Sequence, residues 1–188
     1  CTCAALGLAG EALATRGALT APVLFVKQFN YQGLHIYDTF YQWRPGGGIY
    51  VLENPGDPPE LHRVRAVIDP TTPETLGAGI YFDPSLSYDA TKLLFCFKGS
   101  EQGNSVIYEI GVSLSSGSGQ AGKGLRQLTN LDANGNPYKG KGSGHHDVKP
   151  CYLPDGRIVF TSTRYSGLVP CANNGVAILH VMGADGSD

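Results

Sequence analysis

The densest group of side chains able to do chemistry is Gly144-His145-His146-Asp147. Imidazole is the commonest transition-metal ligand near neutral pH, and a nearby carboxylate can bind the metal or orient a ring. In an extended segment, residues two apart share a face, so His145 and Asp147 suit a shared ligand better than the two adjacent histidines. The sequence predicts a metal, haem or ligand site from His145, His146 and Asp147. The alternative is a loop in which these side chains cap turns or bond to the backbone.

A second group, rich in aromatic rings, runs from His35 to Arg44. Aromatic rings in a loop can line a pocket and stack on a ligand. The candidate ligand- or cofactor-binding residues are His35, Tyr37, Tyr41 and Trp43, and we expect this loop to approach the histidine cluster. Packing over a neighbouring sheet or against another subunit is an equal alternative.

Three further motifs fail on inspection. Two stretches approach a phosphate-binding loop, but Gly124 and Gly142 stand where Ser or Thr must reach Mg²⁺. Asp132-x-Asn134-x-Asn136 begins like a calcium loop, but Pro137 replaces the required Gly and Ser143 the bidentate Glu. No catalytic residue is predicted.

Composition narrows the function classes. The 188 residues are 41% hydrophobic and 16% charged, and 14 basic against 16 acidic residues give a net charge of −2. Such a balance argues against a nucleic-acid partner, which requires a basic face. No apolar run approaches the roughly 18 residues of a membrane span, and no Cys-x-x-Cys-His haem attachment motif occurs.

The elements that must position these groups recur along the chain. One apolar strand type is followed each time by a second, and the second and third copies follow a turn. The first type is expected at Val23–Val26, Leu93–Cys96 and Ile158–Thr161, and the second at Ile49–Leu52, Ile107–Ile110 and Leu179–Met182. A polar third strand is expected at Pro59–Val64 and Gly124–Thr129. The pattern predicts an all-β chain of antiparallel sheets.

This repeat predicts a partial β-propeller of about three four-stranded blades, at about residues 21–82, 83–146 and 147–188, the last incomplete. An open sandwich with chance similarity between its strands is the alternative. Residues 1–20 are rich in helix formers and predict a short helical leader or the end of an upstream domain. Because a propeller typically closes with four to eight blades, we expect further sequence on the C-terminal side.

The turn and strand Pro154-Asp-Gly-Arg-Ile-Val-Phe160, with Gly124-Leu-Arg-Gln-Leu-Thr129, resemble the repeats of TolB-type propellers. A longer resemblance, carried by 22–27, 35–41, 46–53 and 146–164, is to the propeller region of hydrazine synthase alpha-subunit-like proteins. The resemblance implies an extracytoplasmic location, other domains or subunits as partners and, in the enzyme itself, a multi-haem complex.

The resemblance gives two expectations of function. The first is a binding or scaffold module of a larger extracytoplasmic protein, and the alternative is the propeller part of a haem-containing redox subunit. Outside the cytoplasm disulfides persist, so Cys151 and Cys171, which bracket one hairpin, are expected to be bridged. Two free cysteines are the alternative, and Cys96 is expected to be an inert core residue.

Overall fold

The computed structural model describes residues 19–29, 43–114, 122–131, 145–165, 167–168 and 176–187. Within these ranges there are ten β-strands, one three-residue 3-10 turn and no α-helix, which confirms the all-β prediction. The predicted leader helix lies outside the described residues, except for Leu19 and Thr20, which are not helical.

The strands are short, as expected for a chain punctuated by turn residues. They are β1 (Val23–Lys27), β2 (Gly48–Leu52), β3 (Val64–Ile68), β4 (Ile80–Leu86), β5 (Lys92–Lys98), β6 (Ser105–Gly111), β7 (Lys123–Gln127), β8 (Asp147–Tyr152), β9 (Ile158–Ser162) and β10 (Ile178–Met182).

Three antiparallel sheets follow one another along the chain. Sheet 1 has the order β1-β2-β3, sheet 2 the order β4-β5-β6-β7, and sheet 3 the order β8-β9-β10. The two predicted strand types therefore pair directly in every sheet, as β1 with β2, β5 with β6, and β9 with β10.

Two details of the predicted strand pattern are wrong. The strand expected at Pro59–Val64 is instead a 3-10 turn over Pro59–Leu61, and β3 begins only at Val64. Two consecutive prolines, Pro58 and Pro59, fix φ and remove backbone donors, which disfavours a paired strand there. The predicted boundary between residues 82 and 83 falls inside β4, which belongs to sheet 2.

Sheet 2 is buried on both faces. Strand side chains alternate between faces, so Leu93, Phe95 and Phe97 pack with sheet 1 while Leu94 and Cys96 pack with sheet 3. The sheet 1 side is completed by Ile49, Val51, Val67, Ile68, Tyr81 and Ile110, and the sheet 3 side by Ile80, Phe82, Ile107, Leu128, Val148, Tyr152, Ile158, Phe160 and Met182. The three sheets thus form a face-to-face stack with two apolar layers.

We call the first strand of a sheet its leading strand, which is β4 in sheet 2 and β8 in sheet 3. These two strands contact each other. Each contains a bulge in which a residue with positive φ precedes a proline: Asp83 (φ 48°) before Pro84, and Lys149 (φ 55°) before Pro150. Bulges and prolines blunt an unpaired strand edge. The same device therefore protects the free edge of both leading strands.

The connections divide between two ends of the stack. Antiparallel pairing places the ends of β1, β3, β5, β7 and β9, from which one set of connections leaves, at one end of the stack, which we call the long-loop end. Gly46 N–H donates to Gly79 O at 2.8 Å, which ties sheets 1 and 2 together there. The strands β2, β4, β6 and β8 end at the opposite end, where 87–91 and 153–157 are tight turns.

Candidate functional site

The predicted histidine cluster lies at the long-loop end, where β8 begins. His145 and His146 are the two residues before β8, and Asp147 is the first residue of the strand. Arg164, which follows the end of the neighbouring strand β9, joins them. We call these four residues the rim cluster.

Asp147 is the buried centre of the rim cluster, with its side chain only 1% exposed. Its Oδ1 accepts a hydrogen bond from the Arg164 guanidinium at 3.3 Å, and His145 Nε2 lies 3.5 Å from Oδ2. Burial by itself raises the pKa of this carboxyl, but His145, Ser162 and the charge of Arg164 outweigh burial, and the pKa is lowered. Asp147 is therefore an anion, and its Oδ2 has no well-formed hydrogen bond among the described residues.

His146 turns the other way, into the contact between sheets 2 and 3. Its Nδ1 accepts the backbone N–H of Ser105 at 3.1 Å, and its backbone pairs with Thr163. Burial, followed by the nearby charge of Lys98, lowers the pKa of His146 to about 4. This ring is neutral near pH 7, and because Nδ1 accepts, its proton is on Nε2.

The structure brings together two of the three predicted metal ligands. His145 and Asp147 face each other, as their spacing indicates, whereas His146 is used to join two sheets. Across the described parts of the chain, no group of three or more His, Cys, Asp or Glu side chains is arranged to hold a metal ion. The geometry favours Asp147 as the group that orients the His145 ring.

Of the predicted aromatic group, His35, Tyr37 and Tyr41 lie outside the described residues. Trp43 is described, and it packs against the apolar layer between sheets 2 and 3. Val148 of β8 belongs to the same layer. The described residues show a packing role for this ring.

Two of the candidate side chains are already engaged in the contact between sheets 2 and 3. The ring of His146 accepts a backbone hydrogen bond through Nδ1, and Trp43 packs on the core.

A second polar group, which the sequence analysis did not identify, joins sheets 2 and 3 near the end of the stack opposite the long-loop end. Glu109 of β6 is buried; it accepts from Arg126 Nε at 2.8 Å and from the Tyr152 hydroxyl at 2.8 Å. Arg126 also donates to Ala184 O at 2.6 Å. The available sequence signal was Glu109 itself, a charged residue in an otherwise apolar strand.

A third polar group lies where the two leading strands meet. Burial raises the pKa of Asp83, while the charge and backbone N–H of Lys149 act against this rise. Asp83 Oδ2 is buried without a hydrogen-bond partner among the described residues. Beneath it the fully buried Cys96 has a raised thiol pKa, chiefly through burial, so this thiol is inert as expected.

Cys151 is exposed, it is bridged to no cysteine among the described residues, and its Sγ lies 3.5 Å from Tyr152 O. Its predicted partner, Cys171, lies outside the described residues. The structure gives no support for the bridge, which stays a prediction.

Among the described residues, no helix is long and apolar enough to cross a bilayer. Comparison with protein-family models, with curated proteins and with solved structures gave no match.

Proposed function

We propose that the three sheets are successive blades of a β-propeller of the TolB type, and that the chain is a binding module of a larger extracytoplasmic protein. Three features support this architecture: the strand order restarts in each sheet, the sheets stack face to face, and the leading strands β4 and β8 adjoin. Radial repetition of small sheets with protected edges is the plan of a propeller.

The observation that carries the binding role is the position of the rim cluster. Asp147 is a buried anion whose Oδ2 has no well-formed hydrogen bond among the described residues, and it lies beside the partly exposed His145. An oxygen of this kind is open to a hydrogen bond from a partner. It lies at the end where the longest connections of all three sheets emerge. Loops positioned by a rigid scaffold are where binding residues concentrate.

In this proposal His145 contacts the ligand and Asp147 holds its ring. An imidazole whose ring is held by a carboxylate suits a divalent transition metal or a hydrogen-bonding group of a partner. His146 contributes by fixing the start of β8 to sheet 2 through Ser105. The aromatic segment 35–44 is proposed to complete the same rim from sheet 1.

Metal content and absorbance of the purified protein test this role. We expect bound metal in the parent, a loss of most of it in His145→Ala, and no loss in His62→Ala, a histidine at the opposite end. A parent without metal, or equal content in His145→Ala, would remove the metal version of the proposal. A Soret band in the parent would instead favour the haem-containing redox subunit.

The architecture has its own test. Electron microscopy of the protein at its full natural length is expected to give a ring of radially arranged sheets around an axis. An open sandwich in the class averages would contradict the propeller, whatever the metal analysis gives.

A further inference from the structure

The outer face of sheet 3, the face turned away from sheet 2, is apolar, and no other described strand packs on it. Phe160, Ile158 and Met182 point into the layer shared with sheet 2, so by alternation the residues between them point outward. Register then places two cross-strand rows on the outer face: Cys151-Val159-Val181, and Thr161-Leu179. Leu179 is 72% exposed and Val181 44% exposed.

The corresponding face of sheet 2 is covered. In the repeat, Leu179 of β10 corresponds to Ile107 of β6, which is 0% exposed because sheet 3 lies on it. Val159 and Thr161 of β9 correspond to Leu94 and Cys96 of β5, both buried in the same layer. The outer face of sheet 3 thus repeats the pattern of a face that takes a neighbouring sheet.

We propose that this face binds a further antiparallel sheet, outside the three described here, whose leading strand lies on β8–β10 as β8 lies on β4–β6. This rests on the proposed propeller architecture and continues its established sheet-to-sheet contact. Isolated exposed apolar residues need no explanation, but a contiguous patch on one sheet face marks an interaction surface.

The residues that differ between the two faces define the chemistry of the covering sheet. In sheet 2, Glu109 accepts a hydrogen bond from the Tyr152 hydroxyl of sheet 3. Val181 occupies the corresponding position in sheet 3. The covering sheet therefore offers an apolar group there, because a buried hydroxyl without an acceptor is costly.

The bulge position differs too. Asp83 of sheet 2 meets the backbone N–H of Lys149, whereas Lys149 itself is the bulge residue of sheet 3 and is exposed. A lysine donates and cannot accept. The covering sheet therefore presents a carboxylate or carbonyl oxygen next to Lys149.

Maleimide labelling of the full-length protein, in a Cys171→Ser background that keeps Cys151 reduced, tests the proposal. Cys151 lies in the patch, and Cys96, buried between sheets 2 and 3, is the internal standard for protection. We expect Cys151 to react at least about tenfold more slowly in the folded than in the urea-unfolded protein. Lys149→Glu should speed its labelling, and Lys123→Glu on β7 should not.

Two outcomes would overturn the proposal. One is a Cys151 that reacts at its unfolded rate while Cys96 stays protected. In that case the sheet stack is intact, but no sheet covers the outer face of sheet 3. The other is protection that disappears on dilution, which identifies a second copy of the chain as the occupant. A failure of the propeller itself is recognised separately, by unprotected Cys96 or by the absence of a ring in electron micrographs.

Discussion

At the scale of single residues, the contact between sheets 2 and 3 depends on a few buried polar groups. Glu109, Arg126 and Tyr152 form one link, and His146 with Ser105 forms another. Buried polar groups that are fully paired fix one arrangement of their elements, because any shift leaves a charge or a donor unsatisfied. These residues therefore set how the two sheets align along their strands.

Tyr152→Phe tests the first link. The change removes the hydroxyl that donates to Glu109 Oε2 at 2.8 Å and leaves the ring in place. Hydrogen bonds to charged groups contribute about 1.5–3 kcal/mol, so we expect a loss of that size in the free energy of unfolding in urea. Tyr88→Phe is the control, since Tyr88 is 75% exposed and should change stability by less than about 0.5 kcal/mol. Equal effects would rule out the link.

His146 gives the fold a defined pH dependence. Its pKa is lowered to about 4 in the folded protein, against about 6.5 in an unfolded chain. Between these values the unfolded state binds more protons, so stability is complete above about pH 6.5 and falls as the pH approaches about 4. Urea unfolding across this range should show the fall, and His146→Gln, which keeps an acceptor, should reduce it. His62→Gln should leave the profile unchanged.

At the scale of elements, three turns are built alike. Asp89, Asp155 and Asp185 each accept the backbone N–H two residues on. The residue after each aspartate has a positive φ: Ala90 at 55°, Gly156 at 88° and Gly186 at 91°. Glycine adopts this conformation without a Cβ penalty, whereas alanine pays for it.

Replacing alanine by glycine and glycine by alanine in these turns should change the free energy of unfolding in opposite directions. We expect Ala90→Gly to stabilise the protein by roughly 0.5–1 kcal/mol and Gly156→Ala to destabilise it by about 1 kcal/mol, from backbone conformation alone. A Cβ at Gly156 meets no atom within 4 Å, but at Gly186 it lies 2.6 Å from Leu128 O, so Gly186→Ala should cost more. Thermal unfolding of the three variants measures the order, and a destabilised Ala90→Gly would refute it.

The strands and turns could be predicted because their signals are local. Short apolar runs and Asp-Gly turns predicted β2, β5, β6, β9 and β10 to within two residues at each end. The bulges could not be predicted, because the positive φ of Asp83 and Lys149 occurs where each strand shifts register against its partner. The rim cluster was half predictable: spacing paired His145 with Asp147, but Arg164 joins them only through the pairing of β8 with β9.

At the scale of the whole molecule, the two apolar layers share sheet 2. Sheet 1 packs on one of its faces and sheet 3 on the other, so neither outer sheet can separate without exposing a face of sheet 2. Stability in such stacks is carried by each sheet and its neighbours. We expect the three sheets to unfold together.

Trp43, the single tryptophan, reports on this cooperativity. It packs on the layer between sheets 2 and 3, whereas Ile49 is buried in the layer between sheets 1 and 2. Ile49→Val should cost about 1 kcal/mol and should move the urea midpoint measured by Trp43 fluorescence. A circular dichroism midpoint that shifts while the fluorescence midpoint stays in place would mean that sheet 1 unfolds separately.

The contact between the leading strands also has a consequence for hydration. Among the described residues, β4 forms a ladder only with β5 and β8 only with β9, although β4 and β8 lie side by side. The free edge of each strand, in the plane of its own sheet, therefore presents a row of amide and carbonyl groups on the same side of the stack, and such groups require partners. A file of ordered solvent molecules should run along these two neighbouring edges and hydrate one side of an otherwise apolar stack.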